Sequence, residues 1–182
     1  MPQFGLRGIK VAKYVNTNGV ISYTDRQEVG KAMQANFELR RAEARLYAED
    51  GLAEYMTSAT GGTVSLGVAY IKDAAQKLMF GMTDKTRSVT PTGGSATSVT
   101  GLALSAKSEG VYVGLGFYCP AMKDGEKVFW CCRIAKALFG PPSMSLQTKG
   151  ENIVFNTPTT NGEMLMDDSD NALLYESAYV DA

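Results

Sequence analysis

The sequence predicts a mainly β protein: a β-sandwich or barrel-like arrangement of strands with one short flanking helix and a long hairpin loop. Two observations support the strands, namely turn dipeptides that suit tight hairpins and an alternation of apolar with polar residues. The chain has 182 residues and is 45% hydrophobic. Because domains usually hold about 100 to 200 residues, we expect a single domain spanning residues 1–182.

Hairpin turns are indicated by dipeptides that readily adopt the positive φ angles of type I′ turns. The three dipeptides that separate strand-like runs are Asn18-Gly19, Asp124-Gly125 and Asn161-Gly162. Lys149-Gly150 is a weaker signal, because lysine tolerates positive φ less well than asparagine does. The sequence therefore predicts three hairpins and a fourth, less certain turn.

Alternating apolar residues predict three strands that each bury one face in the core. Every second residue in these runs is apolar, while the residues between them are mostly polar or glycine. The apolar positions are Ala35, Phe37 and Leu39 in the first run, Val64, Leu66, Val68 and Tyr70 in the second, and Val111, Val113, Leu115 and Phe117 in the third. The GLG run at residues 114–116 lacks the rest of a dinucleotide-binding motif, so it predicts a kink or a close backbone contact in its strand.

Residues 72–82 have helical spacing instead. Their apolar side chains recur three and four residues apart, as they do on one face of a helix. Asp73 is a suitable N-cap, and Gly81 is a suitable end. One short helix is predicted, with its apolar face formed by Ala74, Ala75, Leu78 and Met79.

Two segments lack a core-forming pattern. Residues 83–100 are rich in Ser and Thr and contain Pro and Gly, which predicts an exposed loop that is flexible over residues 83–98. A mobile connection and a loop that orders against a neighbouring chain are equally consistent with this composition. After Lys149 the chain contains Asp and Glu but no Lys or Arg. Such a charge run is usually solvated, so residues 167–182 are interpreted as an acidic C-terminal tail.

The composition argues against common catalytic and metal-binding arrangements. The chain contains no histidine, so Ser-His-Asp and Cys-His activation of a nucleophile are excluded, as is imidazole-bound zinc. Cys119, Cys131 and Cys132 match no zinc spacing and are interpreted as small buried hydrophobes. Spacing alone does not test a glycosidase-like pair of acids from distant strands, but nothing favours one. We expect a protein that is not an enzyme and binds no metal ion or organic cofactor.

The charge and hydropathy patterns indicate neither tight nucleic-acid binding nor membrane insertion. The formal net charge is −1, which is not the basic footprint of a protein that neutralises phosphates. The N-terminus lacks the apolar central run of a secretory signal, and no segment approaches the roughly 20 apolar residues of a membrane helix. The chain is expected to be soluble and made in the cytoplasm.

A dense band of both charges, with large apolar residues embedded in it, lies between two predicted strands at residues 38–54. Calcium loops place carboxylates at alternate positions without arginine beside them, whereas protein interfaces favour Arg and Tyr as anchors. We interpret residues 39–56 as an inter-subunit loop, with an ordinary solvated hairpin as the alternative. The candidate interface residues are Arg40, Arg41, Arg45, Leu46, Tyr47, Glu49, Asp50, Gly51, Leu52, Glu54 and Tyr55.

Five segments in order carry a resemblance that covers nearly the whole chain. They are FGLRGIKVAKY, AEARLYAEDGLAEY, TVSLGVAYI with the following helix, VYVGLGFYCP, and FGPPSMSLQTKGENIVFNTPTTNGEM. In these segments the chain resembles the major tail proteins, or tail-tube proteins, of bacteriophages with long, flexible, non-contractile tails (siphophages). LYAEDG with its following Glu54, and QTKGENIVFNTPT, are the most specific pieces. The pair Cys131-Cys132 and the acidic C-terminal end are not parts of the family pattern.

The resemblance implies a β-sandwich protomer, six of which form a ring. The rings stack into a hollow tube through which DNA passes into the host. The implied partners are other copies of the chain, the tape-measure protein and genomic DNA in the lumen, and tail-tip and tail-terminator proteins at the ends. The implied location is the tail of the virion. The family also implies a long hairpin loop that reaches neighbouring subunits, with Gly51 supplying its turn.

DNA must slide through such a tube, and inward-facing basic side chains would retain its phosphates. A bore that is net negative or neutral is therefore expected. The polar positions of two predicted strands are candidates for the lining, although the sequence does not show which sheet faces inward. They are Gln34, Asn36 and Glu38 in one strand and Tyr112, Gly114 and Gly116 in the other.

Three alternatives to a major tail protein are considered. A tail-tip adaptor or a tail-terminator protein stops at a single ring instead of a tube. A small-ligand-binding β-barrel is also mainly β, but it needs apolar residues around an empty interior. A phage enzyme such as a cell-wall hydrolase needs a nucleophile or an acid/base pair, which the sequence does not show.

Overall fold

The computed structural model describes residues 2–148 and 155–181, in which the chain is mainly β, with antiparallel strand pairing. This confirms the predicted fold class. One helix, α1 (Asp73–Phe80), lies within these ranges. The strands are β1 (Arg7–Thr17), β2 (Val20–Glu28), β3 (Ala32–Ala48), β4 (Gly51–Val68), β5 (Thr83–Val89), β6 (Thr97–Ala103), β7 (Val113–Lys123), β8 (Glu126–Phe139), β9 (Thr159–Leu165) and β10 (Tyr175–Asp181).

Eight strands form one antiparallel sheet in the order β2-β1-β7-β8-β9-β4-β3, with β10 also paired to β8. The sheet divides at β8, whose C-terminal residues from Lys136 onward pair with β9. Its residues Val128–Ile134 pair with β10 instead. The strands β5 and β6 form a separate two-stranded sheet.

The core combines side chains from β1, β4, β7 and β8 with those of α1. Of the three strands predicted from apolar alternation, β3 has its positions Ala35, Phe37 and Leu39 only half-buried against the core. The alternation predicted for the other two strands is confirmed, because Leu66 in β4 and Leu115 in β7 are fully buried, as is Ile134 of β8. Burial of a side chain of this size contributes roughly 1.5 to 3 kcal/mol relative to exposure. Tyr70 was predicted on the same apolar face but follows the end of β4 and is 46% exposed.

Two of the predicted hairpin turns are confirmed. Asn18 and Gly19 connect β1 to β2 with φ angles of 53° and 85°. Asp124 and Gly125 connect β7 to β8 with φ angles of 51° and 87°. Positive φ at both central residues is the property that type I′ turns require.

The turn predicted at Asn161-Gly162 is wrong, because both residues lie inside β9, which pairs with β4 on one side and β8 on the other. A Cβ atom on Gly162 would lie 2.8 Å from the carbonyl oxygen of Leu138 and 2.8 Å from the ring of Phe139. The glycine therefore permits close packing between central strands. The turn predicted at Lys149-Gly150 lies outside the described residues.

Gly114 has a similar packing role in β7, which confirms the close contact predicted for the GLG run. A Cβ atom at this position would overlap the ring of Tyr23 on β2. The next glycine of the run, Gly116, is not crowded, since its Cβ would lie 4.0 Å from the nearest atom, the carbonyl oxygen of Cys132. The absence of a side chain is therefore required at Gly114 and not at Gly116.

The helix α1 lies where the spacing predicted it and ends at Gly81, which has a φ of 65°. The predicted N-cap is wrong by one position, because Lys72 occupies the cap and Asp73 is the first helical residue. Ala74 was predicted on the apolar face but is exposed. The buried side chains of the helix are Ala75, Leu78, Met79 and Phe80.

The loop predicted at residues 83–100 is wrong, because most of it forms the hairpin of β5 and β6. The two strands pair along their full length, from Thr83 opposite Ala103 to Val89 opposite Thr97. Thr and Val favour strands, but the Ser, Gly and Pro content of the segment obscured this preference. The segment is nevertheless exposed, as predicted.

The acidic segment is solvated as interpreted over β10, where every residue from Tyr175 to Asp181 is exposed, but up to Asp181 it is not a free tail. The strand β10 continues the sheet beside β8, and the segment before it is attached to the body of the protein. The hydroxyl of Tyr14 donates to Oδ2 of Asp168 at 2.9 Å, and the backbone N–H of Asp168 donates to the same hydroxyl at 3.0 Å. Nζ of Lys136 lies 2.9 Å from Oδ2. These contacts hold the C-terminal segment against β1 and β8.

Asp168→Asn is expected to make stability less dependent on pH in acid. The hydrogen bond from Lys136, followed by that from Tyr14, lowers the pKa of the Asp168 carboxyl from its ordinary value. A carboxyl with a lowered folded-state pKa stabilises the protein above its ordinary pKa of about 4 and loses that effect as the pH falls through the folded-state value. The free energy of unfolding, measured by urea titration at pH 7 and pH 3, checks this prediction.

The wild-type protein should exceed Asp168→Asn in stability at pH 7, and the difference should shrink at pH 3. Asp170→Asn is the matched control, since Asp170 is exposed and forms no ion pair among the described residues. A difference between the wild type and Asp168→Asn that stays constant with pH would contradict the prediction.

Candidate functional site

The predicted inter-subunit loop forms the outer part of a long hairpin of β3 and β4. The two strands pair from Ala32 opposite Val68 to Ala48 opposite Gly51. The strand β9 pairs with β4 only from Gly62 to Gly67. Within residues 2–148 and 155–181, the outer parts of β3 and β4 therefore pair only with each other. The eight residues of β3 from Arg41 to Ala48 extend about 26 Å at roughly 3.3 Å per residue.

The turn of this hairpin is formed by Glu49 and Asp50, whose φ angles are 51° and 62°. Because Ala48 pairs with Gly51, these two residues occupy the central positions of a two-residue turn. The expectation that Gly51 supplies the turn is therefore wrong, since Gly51 is the first residue of β4. Asp adopts positive φ comparatively often among non-glycine residues.

The outer hairpin is exposed on both faces. Every residue from Arg40 to Ala48 and from Gly51 to Ser58 is exposed. An isolated two-stranded hairpin is marginally stable in water at best, and contiguous exposed apolar surface often marks an interaction site. The large apolar side chains of this region, with their exposed fractions, are Leu46 (58%), Tyr47 (65%), Leu52 (54%), Tyr55 (49%) and Met56 (72%).

The two faces of the outer hairpin differ in chemistry, because directly opposed residues of paired strands lie on the same face. Small and apolar residues dominate one face. They are Ala42, Ala44, Leu46, Ala48 and Met56, with Glu54 and Ser58 beside them. Charged and aromatic residues dominate the other. They are Arg41, Glu43, Arg45, Tyr47, Leu52 and Tyr55.

Two of the predicted arginines are engaged within the protomer. Arg40, at the base of the outer hairpin, forms an ion pair with Glu163 of β9. A nitrogen of Arg45 lies 3.0 Å from a carboxylate oxygen of Glu43, and its guanidinium carbon lies 5.6 Å from the ring centroid of Tyr55. Exposed pairs of this kind contribute only about 0 to 1 kcal/mol each. They orient side chains more than they stabilise the hairpin.

The end of the hairpin has an acidic character. Among the described residues, Glu49, Asp50 and Glu54 form no ion pair. No Lys or Arg occurs between Leu46 and Met56. The structure thus places the predicted carboxylates at the turn end of the hairpin, beside exposed apolar side chains.

The sequence-based candidates included Leu46 and Glu54 of the small, apolar face of the hairpin but omitted its alanines and Met56. Its members Ala42, Ala44 and Ala48 alternate with charged or aromatic residues, so a period of two was visible in the sequence. Alanine is weakly apolar and has little preference for strands, and the pattern was therefore outweighed by the charges. Met56 lies within the predicted loop but was not among the named residues, although it is the most exposed of the large apolar side chains in this region.

The cysteines have different environments in the folded chain. Cys132 is buried, as predicted, whereas Cys119 and Cys131 are half-buried. Burial raises the pKa of the Cys132 thiol to about 11, with a smaller effect from Cys119. Because the thiolate is the reactive form of cysteine, Cys132 has the character of a packing residue.

In the part of the chain that the structure describes, no group of three or more His, Cys, Asp or Glu side chains is arranged to hold a metal ion. No helix in the same part of the chain combines the length and the apolar character of a membrane span.

Comparisons with known proteins give no match, either to a protein-family model or to a curated protein. The class of the protein is accordingly defined by its fold and its site. It is a mainly β protein with antiparallel sheets, from which a long, exposed hairpin with an acidic and apolar end projects.

Proposed function

We propose that this chain is a structural virion protein, namely a major tail protein whose copies form stacked rings around a channel for DNA. The observation that carries the proposal is the outer β3-β4 hairpin, with exposed Leu46, Tyr47 and Met56. A ribbon that is marginal in isolation gains stability when a second copy covers its apolar surface. The hexameric ring, the tube and its contents come from the sequence resemblance.

The packed interior favours assembly over transport of a small ligand. A β-barrel carrier holds its ligand in an open interior lined by apolar residues. Here, fully buried Leu66, Leu115 and Ile134 belong to one continuous cluster that α1 completes. The hollows described by the structure include one of about 780 Å³, which lies over the outer, polar side of β3, β4 and β9. Assembly, without catalysis, is the activity we propose.

A tail-tip adaptor or a tail terminator is the closest alternative, because the same fold and hairpin also suit a single ring. Negative-stain microscopy of the purified chain, concentrated and supplied with tail-tip proteins as initiators, distinguishes these functions. A major tail protein should give tubes with a central hole, whereas an adaptor or terminator should stop at single rings. Each protomer in a tube should bury well above the roughly 1,600 Å² of a standard pairwise interface. Chains that stay monomeric under these conditions would contradict both functions.

Two faces of the sheet were predicted as candidates for the lumen lining. The face of β3, β4 and β9 that points away from the core suits this role better than the corresponding face of β7. Register places Asn36, Ser65 and Asn161 in one row across these strands, and Glu38, Thr63 and Glu163 in the next. Polar and acidic groups of this kind do not retain phosphates. By contrast, the outer side of β7 places Gly116 beside Lys10 of β1 and Arg133 of β8.

We expect the bore to be lined by Glu38 and its neighbours and to be net negative or neutral. The reason is that an acidic or neutral wall repels DNA phosphates and lets the polymer slide. A cryo-electron-microscopy map of the assembled tube checks this prediction. A continuous ring of lysine and arginine along the bore, or an outward position for Glu38, would contradict it.

A further inference from the structure

The hairpin of β5 and β6 is a second uncovered arm of the protomer. All seven residues of β5 are exposed, as are the first five of β6. Within the described ranges, β5 and β6 form ladder pairs only with each other. An ion pair of 2.6 Å between Lys77 of α1 and Asp84 ties the base of the arm to the core. Like the outer β3-β4 hairpin, this ribbon has little packing of its own.

One face of this arm is basic and apolar. Lys85 lies opposite Gly101, Arg87 opposite Val99, and these residues share a face with Val89. Val89 and Val99 are 49% and 52% exposed. Together with Leu104 these side chains line a groove of about 420 Å³. Lys85 and Arg87 form no ion pair among the described residues, and the neighbouring Asp84 is paired with Lys77.

The end of the β3-β4 hairpin has the complementary character. It carries the carboxylates of Glu49, Asp50 and Glu54 beside exposed Leu46 and Leu52, whereas the β5-β6 arm carries cations beside exposed valines. No hydrogen bond or ion pair joins the two hairpins within the described part of the protomer. Charge complementarity fixes register and suppresses wrong partners, while apolar contact supplies most of the affinity.

We propose that the acidic end of the β3-β4 hairpin of one copy docks on the basic face of the β5-β6 hairpin of a second copy. The carboxylates of Glu49, Asp50 and Glu54 then face Lys85 and Arg87. This inference rests on the proposed function, since it names the surface that receives the hairpin during assembly. A nucleic acid is a weaker candidate for the basic face, because two cations release few counterions and phosphate binding strengthens with each cation added.

Two charge-reversed chains test the docking. The first carries Glu49→Lys and Asp50→Lys, and the second carries Lys85→Glu and Arg87→Glu. In either chain alone, the substituted residues face like charges at every contact between copies, while Glu54 is unchanged. In an equimolar mixture, the reversed end of the first chain meets the reversed arm of the second, and the remaining wild-type end meets a wild-type arm. When the two chains alternate in an assembly, opposite charges therefore meet at every contact between copies.

Each variant alone should need about tenfold more protein than the wild type for half-maximal assembly, as followed by light scattering and negative-stain microscopy. The mixture should return to within about threefold of the wild type. The matched control is Lys123→Glu with Lys127→Glu, which makes the same charge change as the second variant but beside the turn between β7 and β8. This control should assemble as the wild type does, and circular dichroism should show that all four chains are folded.

The docking is overturned if the variants assemble as the wild type does, or if the mixture stays as impaired as its components. It is also overturned if Lys85→Glu with Arg87→Glu weakens binding to a DNA duplex but leaves assembly unchanged, because the basic face then serves nucleic acid. Wild-type protein that stays monomeric even with tail-tip initiators contradicts the proposed function as well. If the wild-type protein forms tubes and the charge-reversed variants assemble equally well, the docking is contradicted but the proposed function is not.

Discussion

Shortening the β3-β4 hairpin is expected to abolish assembly while leaving a folded protomer. The change replaces residues 41–60 by the dipeptide Asn-Gly, which suits a type I′ turn. The new turn connects Arg40 to Gly61, which are already partners in the ladder. Almost all of the removed residues are exposed, and none belongs to the core. The far-ultraviolet circular dichroism and the cooperative unfolding transition should therefore persist. Tubes and rings should be absent from negative-stain images.

A full-length variant separates the apolar surface from the length of the hairpin. Leu46→Gln with Met56→Gln keeps the ladder but removes the two large side chains of the small, apolar face, so assembly should weaken by about tenfold or more. Val20→Gln is the matched control, since Val20 is 69% exposed at the distant turn between β1 and β2. Normal tubes from the shortened chain would show that the hairpin is ordinary solvated surface.

Gly162→Ala is expected to lower the free energy of unfolding, although it adds only one methyl group to β9. The added Cβ would lie 2.8 Å from the carbonyl oxygen of Leu138, which is backbone and cannot move aside by a change of rotamer. Forcing an extra carbon into a packed site costs about 1 to 3 kcal/mol. This cost should exceed the roughly 0.4 to 1 kcal/mol that alanine contributes by restricting the unfolded chain.

Urea unfolding followed by circular dichroism measures this difference, with Gly116→Ala as the control. A Cβ at Gly116 would lie 4.0 Å from its nearest atom, an ordinary contact, and its φ is not positive. The control should therefore stay within about 0.5 kcal/mol of the wild type or become slightly more stable. Equal free energies of unfolding for the two variants would show that β9 does not pack against β8 as described.

Asn161-Gly162 shows why a correct local rule failed. The same dipeptide at Asn18-Gly19 forms the predicted turn, and both occurrences have the same intrinsic preference for positive φ. In β9, however, the neighbouring strands β4 and β8 come from distant parts of the sequence and supply ladder partners on both sides. A glycine in a central strand then serves close packing, which the dipeptide itself does not reveal.

The position of the β3-β4 hairpin was predictable from the sequence, whereas its geometry was predictable only in part. The mixture of arginine, tyrosine and carboxylates located it at residues 39–56, and the structure places all of these residues on one hairpin. The shift of the turn from Gly51 to Glu49 and Asp50 followed from the pairing of Ala48 with Gly51. Register along the ladder also determined which side chains share a face, since a shift of one residue would exchange the two faces.

The sequence by itself determined the properties that depend on neighbouring residues. These are the mainly β class, the two type I′ turns, the buried alternation of β4 and β7, and the helix that ends at Gly81. The tertiary structure alone decided the pairing of β10 with β8, the central position of β9 and the attachment of Asp168 to Lys136. The physical reason is that a strand's hydrogen bonds are satisfied by whichever strand the global topology places beside it. That neighbour is often distant in sequence, as for Asp181, which lies 53 residues after its partner Val128.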